Sequence, residues 1–328
     1  MMGSSVFQYR ILTLFFVFYN FLLEAATQLA LSVHAESAIL VNVDTGAVLY
    51  EKNPHTHHYP ASITKIVTAL YALQRVSDQM DVVVIADQDC VGTVTEDVKK
   101  RSNYSMASYV LTSDCSNVGI KRGDEIPLRD LFYGMMLKSG CDSSNMIAKY
   151  AGGTIPQFMD ELNAYLQQLG CRDSFFCNPH GLHHPNQHTT AHDMALITRE
   201  ALKNPIFREI VGSVRYTCFG KKNKQAASVF MQSNKLLRPG GPYYYSKAIG
   251  VKTGYYSLAQ NTLVAAAKDG ERTLVAVLLK TQERKDTFLD AKKMFEAAFG
   301  QPKVQRTLLH RGIQKFTLQL DGAEWFKI

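Results

Sequence analysis

The chain has 328 residues, 46% hydrophobic and 20% charged, the balance of an ordinary globular protein of one or two domains. Its 36 Lys and Arg against 29 Asp and Glu give a formal charge of +7, with the positive residues scattered along the chain. That distribution lacks the basic run of a nucleic-acid arm, so no nucleic-acid partner is expected; the modest positive field suits an anionic surface or a carboxylate-bearing substrate.

The first 35 residues differ from the rest. Arg10 precedes ILTLFFVFYNFLL, and Glu24 ends that run. The run falls short of the roughly 20 residues of a membrane span. It fits the apolar region of a secretory signal peptide, with Val33-His34-Ala35 offering cleavage before Glu36. Residues 1–35 are therefore expected to be a signal peptide, the alternative being an uncleaved N-terminal segment that alone would hold the protein to a membrane. Both readings place the remainder outside the cytoplasm, in the periplasm or on the outer face of the membrane. The cysteines Cys90, Cys115, Cys141, Cys171, Cys177 and Cys218 all lie in this exported part, where disulfides are permitted. Cys171 with Cys177, or Cys90 with Cys115, are candidate pairs, although spacing does not fix connectivity. The absence of a CxxC argues against a zinc ribbon.

SAILVNVDTGAVLYEKN (37–53) reads as two strands around Asp44-Thr45-Gly46, a hairpin signal. PASITKIVTALYAL (60–73) follows, with Ile63, Ile66, Val67, Leu70 and Leu73 at helical spacing. VVVIA (82–86) reads as a short strand. Residues 87–125 are polar and irregular, and the part from 90 to 118 is expected to be a rim or lid or, preferred here, a disordered insertion. Helices are expected over 128–140, 143–153, 155–170 (closing on Gly170) and 190–202 (capped by Thr190). SKAIGVKTGYYS and then NTLVAAAKDGERTLVAVLL give late strands, the second stretch a hairpin at Asp269-Gly270. An amphipathic helix over 287–300 and one alternating segment, QKFTLQL, complete the chain. Hairpin strands without crossover helices imply an antiparallel sheet with helices on its faces, an α/β or α+β layer architecture with an all-helical lobe.

Three features carry chemistry. Ser62 and Lys65, at i and i+3, share one helix face. Serine is a poor nucleophile until a base takes its proton, and lysine serves as that base once desolvation or a nearby cation lowers its pKa. The bland alternative is a helix cap beside a snorkelling lysine. Lys252-Thr253-Gly254 lies in a strand, where Lys252 and Thr253 offer a cation and a hydroxyl to a carboxylate and Gly254 permits close backbone approach. KSGCDSSN (138–145) is a turn between two helices carrying Ser139.

Taken together and in this order, Ser-x-x-Lys, the Ser139 turn and Lys-Thr-Gly are the signature of serine penicillin-recognising enzymes. From about Ser37 to Gly300 the sequence resembles the D-alanyl-D-alanine carboxypeptidases of peptidase family S11, the low-molecular-mass penicillin-binding proteins. LFYGMMLKSGCDSSNMIAKYAGG, NPHGLHHPNQHTTAHDMALITREAL and SNKLL extend the likeness beyond the three motifs. The resemblance implies a β-lactamase/transpeptidase-like fold and no cofactor or metal. It implies that Ser62 attacks the carbonyl between two D-alanines of a peptidoglycan stem peptide, with Lys65 taking its proton. Ser139 would relay a proton to the leaving nitrogen, and Lys252 with Thr253 would hold the terminal carboxylate beside Gly254. Lys252 would also be the like-charged neighbour that keeps one amine neutral. The backbone N–H groups of Ser62 and Tyr255 would form the oxyanion hole. β-Lactams would acylate Ser62.

This sequence departs from the family at Cys141, where asparagine is usual; a thiol is a weak donor and acceptor, so substrate positioning or deacylation is expected to change. Residues 36–300 are expected to form the enzyme domain, and 301–328 a short tail that is a remnant of, or substitute for, the usual β-rich second domain. Five histidines (His180, His183, His184, His188, His192) admit a zinc reading, with His188 and His192 on one helix face, but His180 and His188 fall on family positions that bind no metal. The rival functions are a serine β-lactamase and a catalytically weakened peptidoglycan-binding protein.

Overall fold

The computed structural model describes residues 29–218, 228–301, 317–318 and 326–327. Strands β1 (Ser37–Asn42) and β2 (Val48–Lys52) form the opening hairpin. A 3-10 turn, Ala61–Ile63, runs into helix α1 (Thr64–Val76). Short elements follow: β3 (Val83–Ile85), α2 (Gln88–Val91), β4 (Thr93–Val94), α3 (Glu96–Arg101), β5 (Leu111–Thr112) and β6 (Glu125–Pro127). The helical lobe continues with α4 (Leu128–Leu137), α5 (Cys141–Gly152), α6 (Ile155–Gln168), α7 (Ala191–Ala201) and α8 (Pro205–Gly212). Then come β7 (Arg215–Cys218), β8 (Ser228–Met231), β9 (Ala248–Tyr256), β10 (Gln260–Asp269), β11 (Arg272–Thr281) and α9 (Arg284–Phe299). A two-residue pair, β12 (Thr317–Leu318) with β13 (Phe326–Lys327), lies in the C-terminal segment; most of the expected tail and nearly all of the expected signal peptide fall outside the described residues.

The main sheet has the order β2-β1-β11-β10-β9, antiparallel throughout. Alternation along its strands feeds two cores. Ile39, Val41, Val264, Val275 and Val277 face the helical lobe and pack with Ile66, Val67 and Leu70 of α1. Leu40, Leu263, Leu274 and Leu278 face the other way, onto Phe288, Met294 and Phe295 of α9. With both faces covered, β10 and β11 read as nearly continuous apolar runs, as doubly buried strands do.

Local signals explain the boundaries. Thr190 caps α7 by accepting from Asp193 N, and Thr154 caps α6 from Gln157 N, so both helices begin where their caps stand. The segment 90–118 is ordered, against the preferred sequence expectation. Its short helices have their own caps, Asp87 accepting from Cys90 N and Thr95 from Val98 N. Asn145, buried on α5, ties it down by donating to Cys90 O at 3.3 Å and Tyr109 O at 3.0 Å. Helix α8 and the β7–β8 hairpin had no place in the sequence reading. Asn204 capping α8, with Pro205 at its start, was the available signal.

Residues 29–35, assigned by sequence to the leader, pack on the sheet. Val33 and Ala35 are buried. Leu29 N donates to Leu49 O (2.8 Å), and Lys52 Nζ donates to Val33 O (3.1 Å) and Ala35 O (2.7 Å).

Candidate active site

Ser62 sits in the 3-10 turn just ahead of α1, not inside the α-helix itself. The residue before it, Ala61, has φ 50°, a left-handed conformation that costs a non-glycine residue about 1–3 kcal/mol and persists only where its surroundings hold it. Those surroundings are visible. Thr64 Oγ1 donates to Ala61 O at 2.8 Å, and the Asn178–Gly181 turn leans on the same carbonyl. At Gly181 (φ 88°) a Cβ would stand 1.9 Å from Ala61 O, so only glycine permits this approach.

Lys65 is completely buried, and its Nζ lies 3.2 Å from Ser62 Oγ, 2.5 Å from His180 O and 3.5 Å from Cys141 Sγ. These three contacts surround the amine and offset the desolvation of its polar N–H groups. The snorkelling alternative is thereby removed, because the side chain ends inside the protein. His180, in the sequence NPHGL, places its carbonyl on Lys65 and its ring beneath the rim segment. Leu182 N donates to its Nδ1 at 3.1 Å and its Nε2 faces Tyr109 O at 3.2 Å, the pattern of a neutral ring protonated on Nε2. Burial first, then the ammonium groups of Lys65 and Lys99, hold its pKa well below the usual imidazole range.

Ser139 occupies the turn between α4 and α5 with φ 63°. Its neighbour Cys141 opens α5 and reaches both Lys65 and, at 3.9 Å, Ser139 O. Among the described residues the Ser139 hydroxyl makes no hydrogen bond to Ser62 or Lys65, so it flanks the pair through Cys141. The neighbouring Cys115 first, and then the Lys65 amine, hold the Cys141 thiol below the ordinary cysteine range against the burial that opposes its charge.

Strand β9 brings the last motif. In register, Lys252, Thr253 and Gly254 face Val264, Leu263 and Thr262 of β10. Gly254 lies so near the nucleophile that a Cβ there would be 2.8 Å from Ser62 N and 2.5 Å from Thr262 Oγ1. Lys252 is fully buried and donates to Thr253 O at 3.1 Å. Burial, followed by the like charge of Lys65, pushes its pKa well below the ordinary lysine value, with Arg284 adding to the effect. The like-charge pressure expected from sequence thus acts on Lys252. Thr253 Oγ1 is 3.0 Å from Ser233 Oγ, making a hydroxyl pair on the strand edge. Ser233 and Arg284 went unnoticed as individual residues, since neither has a local pattern. Tyr255 is 65% exposed at the mouth.

Ser62, Cys141, Gly181 and Tyr255 line one cleft of about 670 Å³. Its far wall is the segment the sequence reading preferred to leave disordered, contributing Glu96, Lys100, Tyr104, Asp114 and Cys115. An aromatic edge completes it: the His183 ring meets Tyr59 and Tyr104 edge-on at 4.8 and 5.2 Å.

Four other histidines meet ring to ring, His55 tilted against His192 (4.7 Å) and His57 stacked on His188 (4.5 Å). His188 precedes α7, so it does not share a helix face with His192. Among the described residues no group of three or more His, Cys, Asp or Glu is placed to hold a metal. Among the described residues none of the cysteines forms a disulfide. Neither candidate pairing from the sequence is formed: Cys90 is buried against α5, and Cys115 lies with Cys141 in the lining of the cleft.

Residues 24–283 match the profile of the peptidase S11 family, described as D-alanyl-D-alanine carboxypeptidase. The chain is 28% identical over 304 residues to the D-alanyl-D-alanine carboxypeptidase DacF of Bacillus subtilis, covering 90% of this chain and 72% of that one. With DacD of Escherichia coli it shares 30% over 286 residues, covering 85% of this chain and 66% of the relative. Its fold superposes on the crystal structure of the Streptomyces K15 DD-transpeptidase with a TM-score of 0.70 at 27% identity, over 83% of this chain and 99% of that one.

Proposed function

The chain belongs to the peptidase S11 family of D-alanyl-D-alanine carboxypeptidases, and from that premise we propose that it removes the terminal D-alanine of peptidoglycan stem peptides through an acyl-enzyme on Ser62. The observation that carries the proposal is the buried Lys65 amine 3.2 Å from Ser62 Oγ at the floor of an open cleft. A base at that distance takes the hydroxyl proton as the oxygen attacks the carbonyl.

The rest of the site supplies what such an attack needs. The backbone N–H of Ser62, beside the side-chain-free Gly254 and the following Tyr255, is the place for the developing oxyanion. Lys252, Thr253 and Ser233 present an amine and two hydroxyls to the substrate carboxylate; binding an anion there favours protonation of Lys252, whose burial otherwise disfavours its charge. Ser139 relays the proton to the leaving D-alanine nitrogen. Cys141 borders the substrate and Lys65 together. Water entering the 670 Å³ cleft then releases the shortened peptide. β-Lactams, which carry a strained amide and a carboxylate, acylate the same serine. The site works outside the cytoplasm, in the periplasm or on the outer face of the cytoplasmic membrane, after export directed by the N-terminal apolar run. No helix among the described residues is long and apolar enough to cross a membrane.

The test is release of D-alanine from a pentapeptide ending in D-Ala-D-Ala, with mass mapping of a penicillin adduct. The expected result is D-alanine release and an adduct on Ser62, both lost in Ser62→Ala. Normal release by Ser62→Ala would refute the mechanism; rapid β-lactam turnover without D-alanine release would indicate a β-lactamase.

A further inference from the structure

We propose that Cys115 and Cys141 form a redox-sensitive pair in the wall of this cleft, closing to a disulfide on meeting an oxidised low-molecular-mass thiol compound and thereby slowing acylation of Ser62. The two side chains line the same cleft. Their backbones are also held together. Cys141 N donates to Ser116 O at 2.8 Å. The Asp142 carboxylate accepts from Val118 N (3.0 and 3.1 Å) and Ile120 N (3.1 Å), so the rim segment is pinned on the first turn of α5. Closing the bond to the usual ~2.05 Å therefore needs side-chain rotation more than backbone movement.

Cys141 is also chemically set apart from the buried thiols Cys90, Cys171 and Cys177. Cys141 lines the cleft within 3.5 Å of the Lys65 amine, which favours its thiolate. Burial pushes Cys90 and Cys171 up to about 12 and Cys177 up to about 11, which leaves them unreactive. The thiolate of Cys141 attacks the external disulfide R–S–S–R, forming Cys141–S–S–R and releasing one thiol after protonation. Cys115, half-buried beside it, then attacks Cys141 Sγ and gives up its proton to the second departing thiolate. Two electrons and two protons pass from the pair to the external disulfide, which leaves as two RSH. The new bond draws Cys141 Sγ off Lys65, removing one of the three acceptors that orient the amine on Ser62.

The slowing of acylation rests on the acyl-transfer reading above; the linkage itself does not, and the two are measured separately. The intact protein is incubated with oxidised glutathione and mapped by peptide mass spectrometry, then labelled with a fluorescent penicillin before and after dithiothreitol. The expected result is a loss of 2 Da, a linked Cys115–Cys141 peptide, and labelling at least threefold slower, restored by dithiothreitol. Cys115→Ser should give no linked peptide and stop instead at a glutathione adduct on Cys141, read in the same peptide map. Oxidation of another pair, persistence of both thiols, or a linked pair with an unchanged labelling rate would overturn the proposal. Failure of the reduced protein to label at all would instead count against the acyl-enzyme reading, leaving the mapped linkage to stand.

Discussion

Replacing Gly254 by alanine tests whether the site depends on backbone contact between β9 and the nucleophile. The added Cβ would meet Ser62 N at 2.8 Å, Thr262 Oγ1 at 2.5 Å and Ala61 Cβ at 3.1 Å. Non-bonded atoms relax near 3.5–4.0 Å, so the strand and the 3-10 turn must part by about 0.7 Å. Rotating Thr262 away does not relieve the clash with Ser62, and it breaks the 3.1 Å bond from Thr262 Oγ1 to Pro60 O that anchors the turn. Overpacking costs about 1–3 kcal/mol and the orphaned buried group about 1–3 kcal/mol more. A shift approaching 1 Å at reacting atoms costs on the order of a hundredfold in rate. The expected outcome is penicillin labelling of Ser62 slowed about tenfold to a hundredfold, with a fall in melting temperature. Rates should be compared at a temperature where both proteins are folded by near-ultraviolet circular dichroism. A Gly254→Ala protein labelling within twofold of the parent would refute the argument that β9 must touch the nucleophile.

The remaining predictions concern stability. His180 has a folded pKa below its unfolded value near 6.5, so its contribution is complete above about pH 6.5 and is lost as pH falls below that toward the folded pKa. Within that window unfolding free energy should drop by up to about 1.4 kcal/mol per pH unit from this residue alone. Denaturant titrations from pH 7 to pH 5 should show a shallower dependence in His180→Gln; equal slopes would contradict the assignment. A chain starting at Glu36 loses the buried Val33 and the bonds that Lys52 and Asp290 make to residues 33–35. Burial of one valine contributes roughly 1.5–3 kcal/mol, so this chain should melt several degrees below one starting at Leu29; identical melting temperatures would show that residues 29–35 add nothing.

Much of the protein was legible because it is encoded over short distances. The Ser62–Lys65 pairing follows from i, i+3 geometry, the hairpins from Asp44-Thr45-Gly46 and Asp269-Gly270, and the start of α7 from the Thr190 cap. Segment 90–118 misled because its order comes from outside it. Polar residues that read as solvated are tied down by Asn145 of α5 and by the Asp142 carboxylate on the following residues, and Lys99 is buried. The sequence by itself determined the chemical groups of the site and the secondary elements carrying each. Only the tertiary structure decided how they meet: β9 against Ser62, the His180 carbonyl on Lys65, and Cys115 beside Cys141. The reason is physical. A hydroxyl and an amine one helical turn apart are brought together by backbone hydrogen bonds alone. A strand and a 3-10 turn nearly 200 residues apart come so close that a Cβ on Gly254 would stand 2.8 Å from Ser62 N, and they do so only because both faces of the sheet are buried and a glycine leaves room.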